Sequence, residues 1–291
     1  FHWSFPSSCL FGTSQTHPTA LAARQRASAL SFACRLVIPS GAAHSHSRSA
    51  PTQDFEAALF KIIRAPKRRK TGGTAVAMLE AVIFDMDGVL VDTEPFICEA
   101  AMRMFAEKGV TVHPEDFLPF VGAGEDRYIG GVAEKYGVDV DVARDKSRTY
   151  SIYGEIVAGK LEPLAGVREF IKRARGKDAR LAVASSADRV KVDINLSEIG
   201  LPPETFDAVI SGQDVVNKKP DPEIFLKAAA ILGARPEACL VVEDAVNGVR
   251  AARRAGMRCL GLTTSFSADE LEEADWIAAT LADAPTEALD W

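Results

Sequence analysis

Asp85 and Asp87 stand one residue apart in Asp85-Met86-Asp87-Gly88, directly after the apolar run Ala81-Val82-Ile83-Phe84. Two carboxylates so spaced, beside a glycine that permits a tight turn, can divide labour: one attacks or binds a metal while the other moves protons. If the apolar run is a buried strand, both acids sit at its carboxyl end, where open α/β sheets bind ligands. Alone, the pair has a plainer reading, because acidic loops after strands are often caps or solvated turns.

Three further polar groups follow or adjoin apolar runs. Ser185 comes directly after Leu181-Ala182-Val183-Ala184 and offers a hydroxyl, with nearby backbone N–H groups, to phosphate oxygens. Lys219 precedes a well-punctuated helix and supplies a fixed positive charge. Glu243-Asp244 follows Leu240-Val241-Val242 and completes a hard, oxygen-rich site of the kind magnesium prefers. Taken singly, these read as a helix cap, a solvated base and a surface turn. In a parallel sheet, however, four strand ends bearing an acid pair, a hydroxyl, a lysine and an acid pair converge on one crevice.

The elements that would hold them are legible as periodicity. Short apolar runs alternate with helical patterns from Ala81 onward, the signature of βαβ units and an α/β fold with a mostly parallel sheet. The strands expected are Ala81–Phe84, Arg180–Ala184, Ala208–Ile210, Cys239–Val242 and Arg258–Leu262. In one intervening helix Asp221 can cap, Pro222 suits the first turn, Ile224, Phe225, Ala228, Ala229 and Leu232 form the apolar stripe, and Gly233 stops it. Between the first and second strands, Phe96, Ala100 and Met104 recur at helical spacing beside Ile97, Ala101 and Phe105, as do Tyr128, Val132 and Tyr136. A helical insertion over residues 95–162 accounts for this better than a long loop. The rest of the organisation is a leader over 1–78 and a core over 79–94 and 163–291.

Composition narrows the function. With 47% hydrophobic and 25% charged residues, the chain has the make-up of a soluble globular protein, and no apolar run approaches the ~18 residues that would span a bilayer. Of 34 basic and 40 acidic residues, ten bases and two acids fall in the leader, so the remainder carries 24 bases and 38 acids, a net −14. That balance argues against a nucleic-acid surface. The five cysteines (Cys9, Cys34, Cys98, Cys239, Cys259) are scattered, without a CxxC pair, and read as reduced thiols. Only His113 lies beyond the leader, which excludes a histidine triad or His-rich metal site, and it reads with Lys160 as a solvated surface residue. The leader is rich in Ser, Ala, Arg and Pro and poor in acids, as a transit peptide is, which would direct the protein to the chloroplast or another organelle. The alternative is that translation starts at Met78 and the protein is cytoplasmic.

Taken together, these motifs resemble those of the haloacid dehalogenase (HAD) superfamily, in the subgroup of phosphoglucomutase-like and phosphoglycolate-phosphatase-like enzymes. The resemblance runs from about Leu79 to Ala282 with the family motifs in order. It implies a Rossmann-like core, a cap domain formed by the helical insertion, and a Mg2+ cofactor bound by Asp85, Asp87, Glu243 and Asp244. It implies Asp85 as nucleophile, Asp87 as general acid/base, Ser185 and Lys219 as phosphate holders, and a small phosphorylated metabolite as substrate. Val121-Gly122-Ala123-Gly124-Glu125, Gly130-Gly131-Val132-Ala133 and the run from Val183 to Asp193 are similar to the HAD module of a larger plant chloroplast protein.

Within that resemblance, dehalogenases lack the second acid, so Asp87 speaks for phosphate chemistry. A sugar-phosphate mutase is the nearest rival, but mutases of this kind place a His about ten residues after the second Asp and an Arg just past the cap's Gly turn, where this chain has Ile97 and Glu125. A non-catalytic module of the same fold is the other alternative, and the intact quartet of acids argues against it. In the insertion, Gly122-Ala123-Gly124-Glu125 reads either as a substrate-facing loop, with Glu125 or Arg127 touching substrate, or as a plain helix start with an acid in its first turn. The sequence specifies neither the substrate beyond its phosphate nor the oligomeric state.

Overall fold

The computed structural model describes residues 78–121 and 124–291; the leader up to residue 77, and Gly122 and Ala123 of the proposed substrate-facing loop, lie outside the described residues. Six strands form one parallel sheet: β1 (Ala81–Phe84), β2 (Arg180–Ala184), β3 (Ala208–Ile210), β4 (Cys239–Glu243), β5 (Arg258–Leu262) and β6 (Trp276–Ala278). Their order, β3-β2-β1-β4-β5-β6, is that of a Rossmann-like sheet, with the strand order reversing between β1 and β4. This is the α/β class expected, with β6 an addition at the edge.

Side chains of β1 alternate between two cores. Val82 and Phe84 face one, with Leu181, Val183, Leu240 and Val242, while Ala81 and Ile83 face the other, with Ala182, Ala184 and Val241. A strand covered on both faces must be apolar at every position, and all four β1 residues are fully buried. Phe84 packs edge-on against Phe170 with centroids 6.1 Å apart, and truncating so buried a ring costs about 3–5 kcal/mol. The carboxyl ends of β1 and β4 are therefore anchored by packing on both sides.

Of the four α-helices described between β1 and β2, the first three fall in the expected insertion: α1 (Glu94–Glu107), α2 (Glu125–Tyr136) and α3 (Val142–Val157). Ile97, Ala100, Ala101, Met104 and Phe105 of α1 are buried with Tyr128, Ile129 and Val132 of α2. The second stripe departs from expectation at Tyr136, which is exposed, its hydroxyl donating to Asp116 Oδ2 at 2.5 Å. The remaining helices flank the sheet: α4 (Val167–Arg175), α5 (Arg189–Glu198), α6 (Glu223–Leu232) and α7 (Val246–Arg254). Helix α6 starts one residue later than Asp221 capping would give. Pro222 occupies the cap position, and Asp221 still accepts from the Glu223 N–H at 3.0 Å. Gly233 ends the helix in the left-handed conformation, as its lack of a Cβ allows.

Candidate active site

Asp85 is the first residue past β1, and its N–H donates to the Val242 carbonyl at 2.9 Å, which keeps the chain beside β4 as it leaves the sheet. Its carboxylate is buried and meets Lys219, whose Nζ donates to Asp85 Oδ1 at 2.5 Å, to Glu243 Oε1 at 2.6 Å and to the Ala184 carbonyl at 3.2 Å. One ammonium thus ties together the ends of three neighbouring strands. Burial works against the charge on Lys219, but Asp85 and Glu243 outweigh it and hold the pKa above the usual lysine value, so the lysine is a fixed cation. For Asp85 the balance tips the other way. Burial, opposed by Lys219 and reinforced by Glu243 and Asp87, pushes its carboxyl up to about 7.

Glu243 closes β4. Its Oε2 accepts from the Asp244 and Ala245 N–H groups, both at 2.9 Å, and Oε1 accepts from Lys219. A Cβ on Gly248 would lie 1.9 Å from the Glu243 carboxyl carbon, so only glycine leaves room for this carboxylate under the first turn of α7. With both oxygens so engaged, Glu243 orients Lys219 and the loop after β4. Asp244 is also buried. Its Oδ2 accepts from the Ser265 hydroxyl and, at 3.4 Å, from Thr264, and it lies against Gly88, where a Cβ would come within 1.9 Å of it. Burial, with Glu243 and Asp85 nearby, raises its pKa well above the carboxylate range.

Asp87 faces the helical insertion. The turn that carries it is closed by Gly88 at φ +74°, whose N–H donates to Val91. The Thr93 hydroxyl donates to Asp87 Oδ1, and Lys191 Nζ donates to Oδ2 at 3.2 Å. The same Nζ lies 3.3 Å from Glu125 Oε1 at the start of α2, so Glu125 joins the cluster through Lys191. Lys191 is buried on α5; burial lowers its pKa, but Asp87 and Glu125 more than compensate and it stays protonated. Ser185 is buried at the end of β2, its N–H bonded to Ile210 and its Oγ accepting from Ala187 N at 3.1 Å, which leaves the hydroxyl proton to offer.

Arg127 is not brought to this cluster. Its guanidinium pairs with Glu134 at 3.0 Å and lies 5.2 Å from the Phe120 centroid on the surface of the insertion, because it sits two residues beyond Glu125 on the helix and so points elsewhere. Lys191, conversely, was missed by sequence reasoning. Its signal was a basic residue sharing the buried face of a helix with Val192, Asn195 and Leu196.

The described residues hold no group of three or more metal-ligating side chains drawn together. They hold instead two buried carboxylates, Asp85 and Asp244, each left proton-hungry by burial and by neighbouring acids, with Lys219 as the cation between Asp85 and Glu243. Magnesium is usually held by one or two carboxylates and completes its shell with water and substrate phosphate, so this donor set fits it.

A parallel sheet in this order, with an acid pair after β1, a lysine tied to it and a second acid pair after β4, defines a HAD-type hydrolase. Residues 82–262 match the family model described as haloacid dehalogenase-like hydrolase, and the chain belongs to that family. It is 44% identical over 201 residues to SUPPRESSOR OF QUENCHING 1, a chloroplastic protein of Arabidopsis thaliana, an alignment covering 67% of this chain but 19% of that much longer protein. It is 33% identical over 190 residues to a phosphorylated carbohydrates phosphatase of Thermotoga maritima, covering 65% of this chain and 88% of that one. Among solved structures, CbbY of Rhodobacter sphaeroides in complex with phosphate superimposes with a TM-score of 0.68 at 27% identity, covering 74% of this chain and 100% of that one.

Proposed function

We propose that this protein is a magnesium-dependent phosphatase that hydrolyses a small phosphorylated metabolite, a sugar phosphate or similar, through an aspartyl-phosphate on Asp85. The observation that carries this reading is the Asp85–Lys219–Glu243 contact at the ends of β1 and β4, with Asp87 on the opposite side of the same turn. Phosphate monoesters hydrolyse so slowly in water that a catalyst supplies up to ~10²¹-fold acceleration, most of it by position and charge.

Asp85 attacks the phosphorus, and the bond from phosphorus to the ester oxygen breaks. Asp87 gives its proton to the departing alkoxide. Lys219 and the Ser185 hydroxyl hold phosphoryl oxygens. Water then attacks the phosphorus of the aspartyl-phosphate while Asp87 takes its proton, the bond to Asp85 breaks, and phosphate leaves with both aspartates restored. Asp85 and Asp244 would hold magnesium, which would supply positive charge to offset that of the phosphoryl group. The insertion acts as a cap over this chemistry, excluding bulk water and selecting the alcohol. The similarity to a chloroplastic protein supports a plastid address. No helix among the described residues is long and apolar enough to cross a membrane.

The test is hydrolysis of p-nitrophenyl phosphate with magnesium by the wild type and by Asp85→Asn. A loss of about 10⁴-fold or more in the variant is expected. Equal activity in the two would remove Asp85 from the chemistry, and conversion of glucose 1-phosphate to glucose 6-phosphate with little free phosphate would make the protein a mutase instead.

A further inference from the structure

The side of the site that faces the insertion carries more acid than base. Asp87, Glu125 and Asp188 stand there, and Glu94, which accepts from the Tyr128 hydroxyl at 2.8 Å, acts electrostatically on the same group. The cations that pair with these acids are Lys191 and Lys146. Each is already claimed twice: Lys191 by Asp87 and Glu125, and Lys146 by Asp126 at 2.6 Å and Asp188 at 2.7 Å. In both cases one carboxylate belongs to the core and the other to the insertion. Lys191 is buried, with 5% of its side chain exposed, so it cannot swing away to meet an outside anion without leaving Glu125 buried and uncompensated. The Thr93 hydroxyl donates to Asp87, and the Tyr150 and Tyr153 phenols lie within its field.

We propose that the departing alcohol of the substrate is uncharged and hydroxyl-bearing, and that Glu125, with Lys191 spent on it, excludes esters whose alcohol carries a second phosphate or a carboxylate. This rests on the phosphatase reading above and narrows it. A second anion on the substrate would meet Asp87, Glu125 and Asp188, whose partner lysines Lys191 and Lys146 each already bridge two carboxylates, and an uncompensated like charge is how a site rejects the wrong ligand. Hydroxyls, by contrast, can donate to those same carboxylates. Glu125 is decisive because it is the acid that the insertion brings to Lys191; without it the lysine would have charge to spare.

Competition against p-nitrophenyl phosphate with the full chain tests this in two matched pairs: 2-hydroxyethyl phosphate against 2-phosphoglycolate, and glucose 1-phosphate against glucose 1,6-bisphosphate. The neutral member of each pair should inhibit at a concentration at least about tenfold lower, and Glu125→Gln should narrow that gap by about threefold or more. Equal or tighter inhibition by the charged members in the wild type overturns the inference, as does a gap that neither Glu125→Gln nor Glu125→Lys alters. Because p-nitrophenyl phosphate turnover is followed throughout, the two readings fail separately. Turnover that does not depend on Asp85 sinks the phosphatase itself, whereas Asp85-dependent turnover with a preference for charged competitors sinks only this proposal.

Discussion

The two lysines of the site are both buried and both bridge two carboxylates, yet they are built differently. Lys219 joins the ends of β1, β2 and β4, elements fixed by packing on both faces of the sheet, and its partner Glu243 is further held by two backbone N–H groups and by the space that Gly248 leaves. Lys191 joins the turn after β1 to the insertion, and its partners Asp87 and Glu125 are 37% and 12% exposed. The first lysine is part of the sheet's framework. The second spans the junction between the turn after β1 and the start of α2. On the proposed reading, the charge at the strand ends would meet the phosphate, and the charge across the helical junction would meet the part of the substrate that varies.

Removing each lysine is the strongest way to break this comparison. Lys219→Met leaves Asp85 and Glu243 buried without a cation and should cost about 3–5 kcal/mol of stability, read as a fall in Tm of roughly 10 °C, with at least ~10³-fold less phosphatase activity. The penalty should shrink as the pH is lowered toward 5. Asp85 already holds its proton up to about 7, and loss of the lysine extends that range upward, so acidic solution discharges the stranded Asp85 carboxyl. Lys191→Met should cost about 1–2 kcal/mol, because water reaches Asp87. Equal losses of stability in the two variants, measured by thermal melts at pH 5.5 and 8, would erase the distinction.

The same contrast explains what the sequence discloses. Strands β1, β2, β3 and β5 are read at their observed ends and β4 falls one residue short, because buried parallel strands are unbroken apolar runs and each is followed by a polar residue that breaks the pattern. Strand β6 is invisible by that criterion. Its three residues, Trp276-Ile277-Ala278, follow the acidic stretch Glu272-Glu273-Ala274-Asp275, and it is placed by pairing to β5 and by Asp275, which accepts from the Cys259 N–H at 2.8 Å. Asp85 and Glu243 are found as candidates because strand ends announce them, and Lys219 because it precedes a well-punctuated helix, but the engagement of both Glu243 oxygens depends on Gly248 and on loop geometry that no spacing encodes. Lys191 escapes notice because whether a helical lysine is solvated or buried is decided by what the neighbouring layer brings to it.

Magnesium offers a smaller and more discriminating effect. With a carboxyl pKa of about 7 in the fold against an ordinary value near ~4, Asp85 keeps a proton between those limits that the unfolded chain has lost. The metal-free protein therefore loses stability as pH rises from about 4 to about 7, since the unfolded state binds fewer protons there. Magnesium held by these residues as proposed would bind the deprotonated carboxylates and have to displace that proton, so its stabilising effect should grow with pH over the same window. An increase in Tm of about 3–5 °C at pH 8 and under about 1 °C at pH 5 is expected in several millimolar magnesium. A shift independent of pH would place the ion elsewhere than Asp85 and Asp244.

The smallest effect belongs to the insertion's outer surface and sharpens the comparison from the other side. Arg127 is two residues from Glu125, and proximity in sequence makes both candidates for contact with substrate, but a helix turns them to different faces. Arg127 pairs with Glu134, and both partners are more than half exposed, in a setting where ion pairs are worth little and salt screens them. Its guanidinium also covers Phe120, whose ring sits against Gly131. Arg127→Ala should therefore leave kcat/KM within about twofold for both members of each substrate pair and lower Tm by no more than about 2 °C. A tenfold change in kcat/KM would mean that α2 rotates during turnover to carry this side chain inward, making the insertion far more mobile than its packing on α1 and α3 implies.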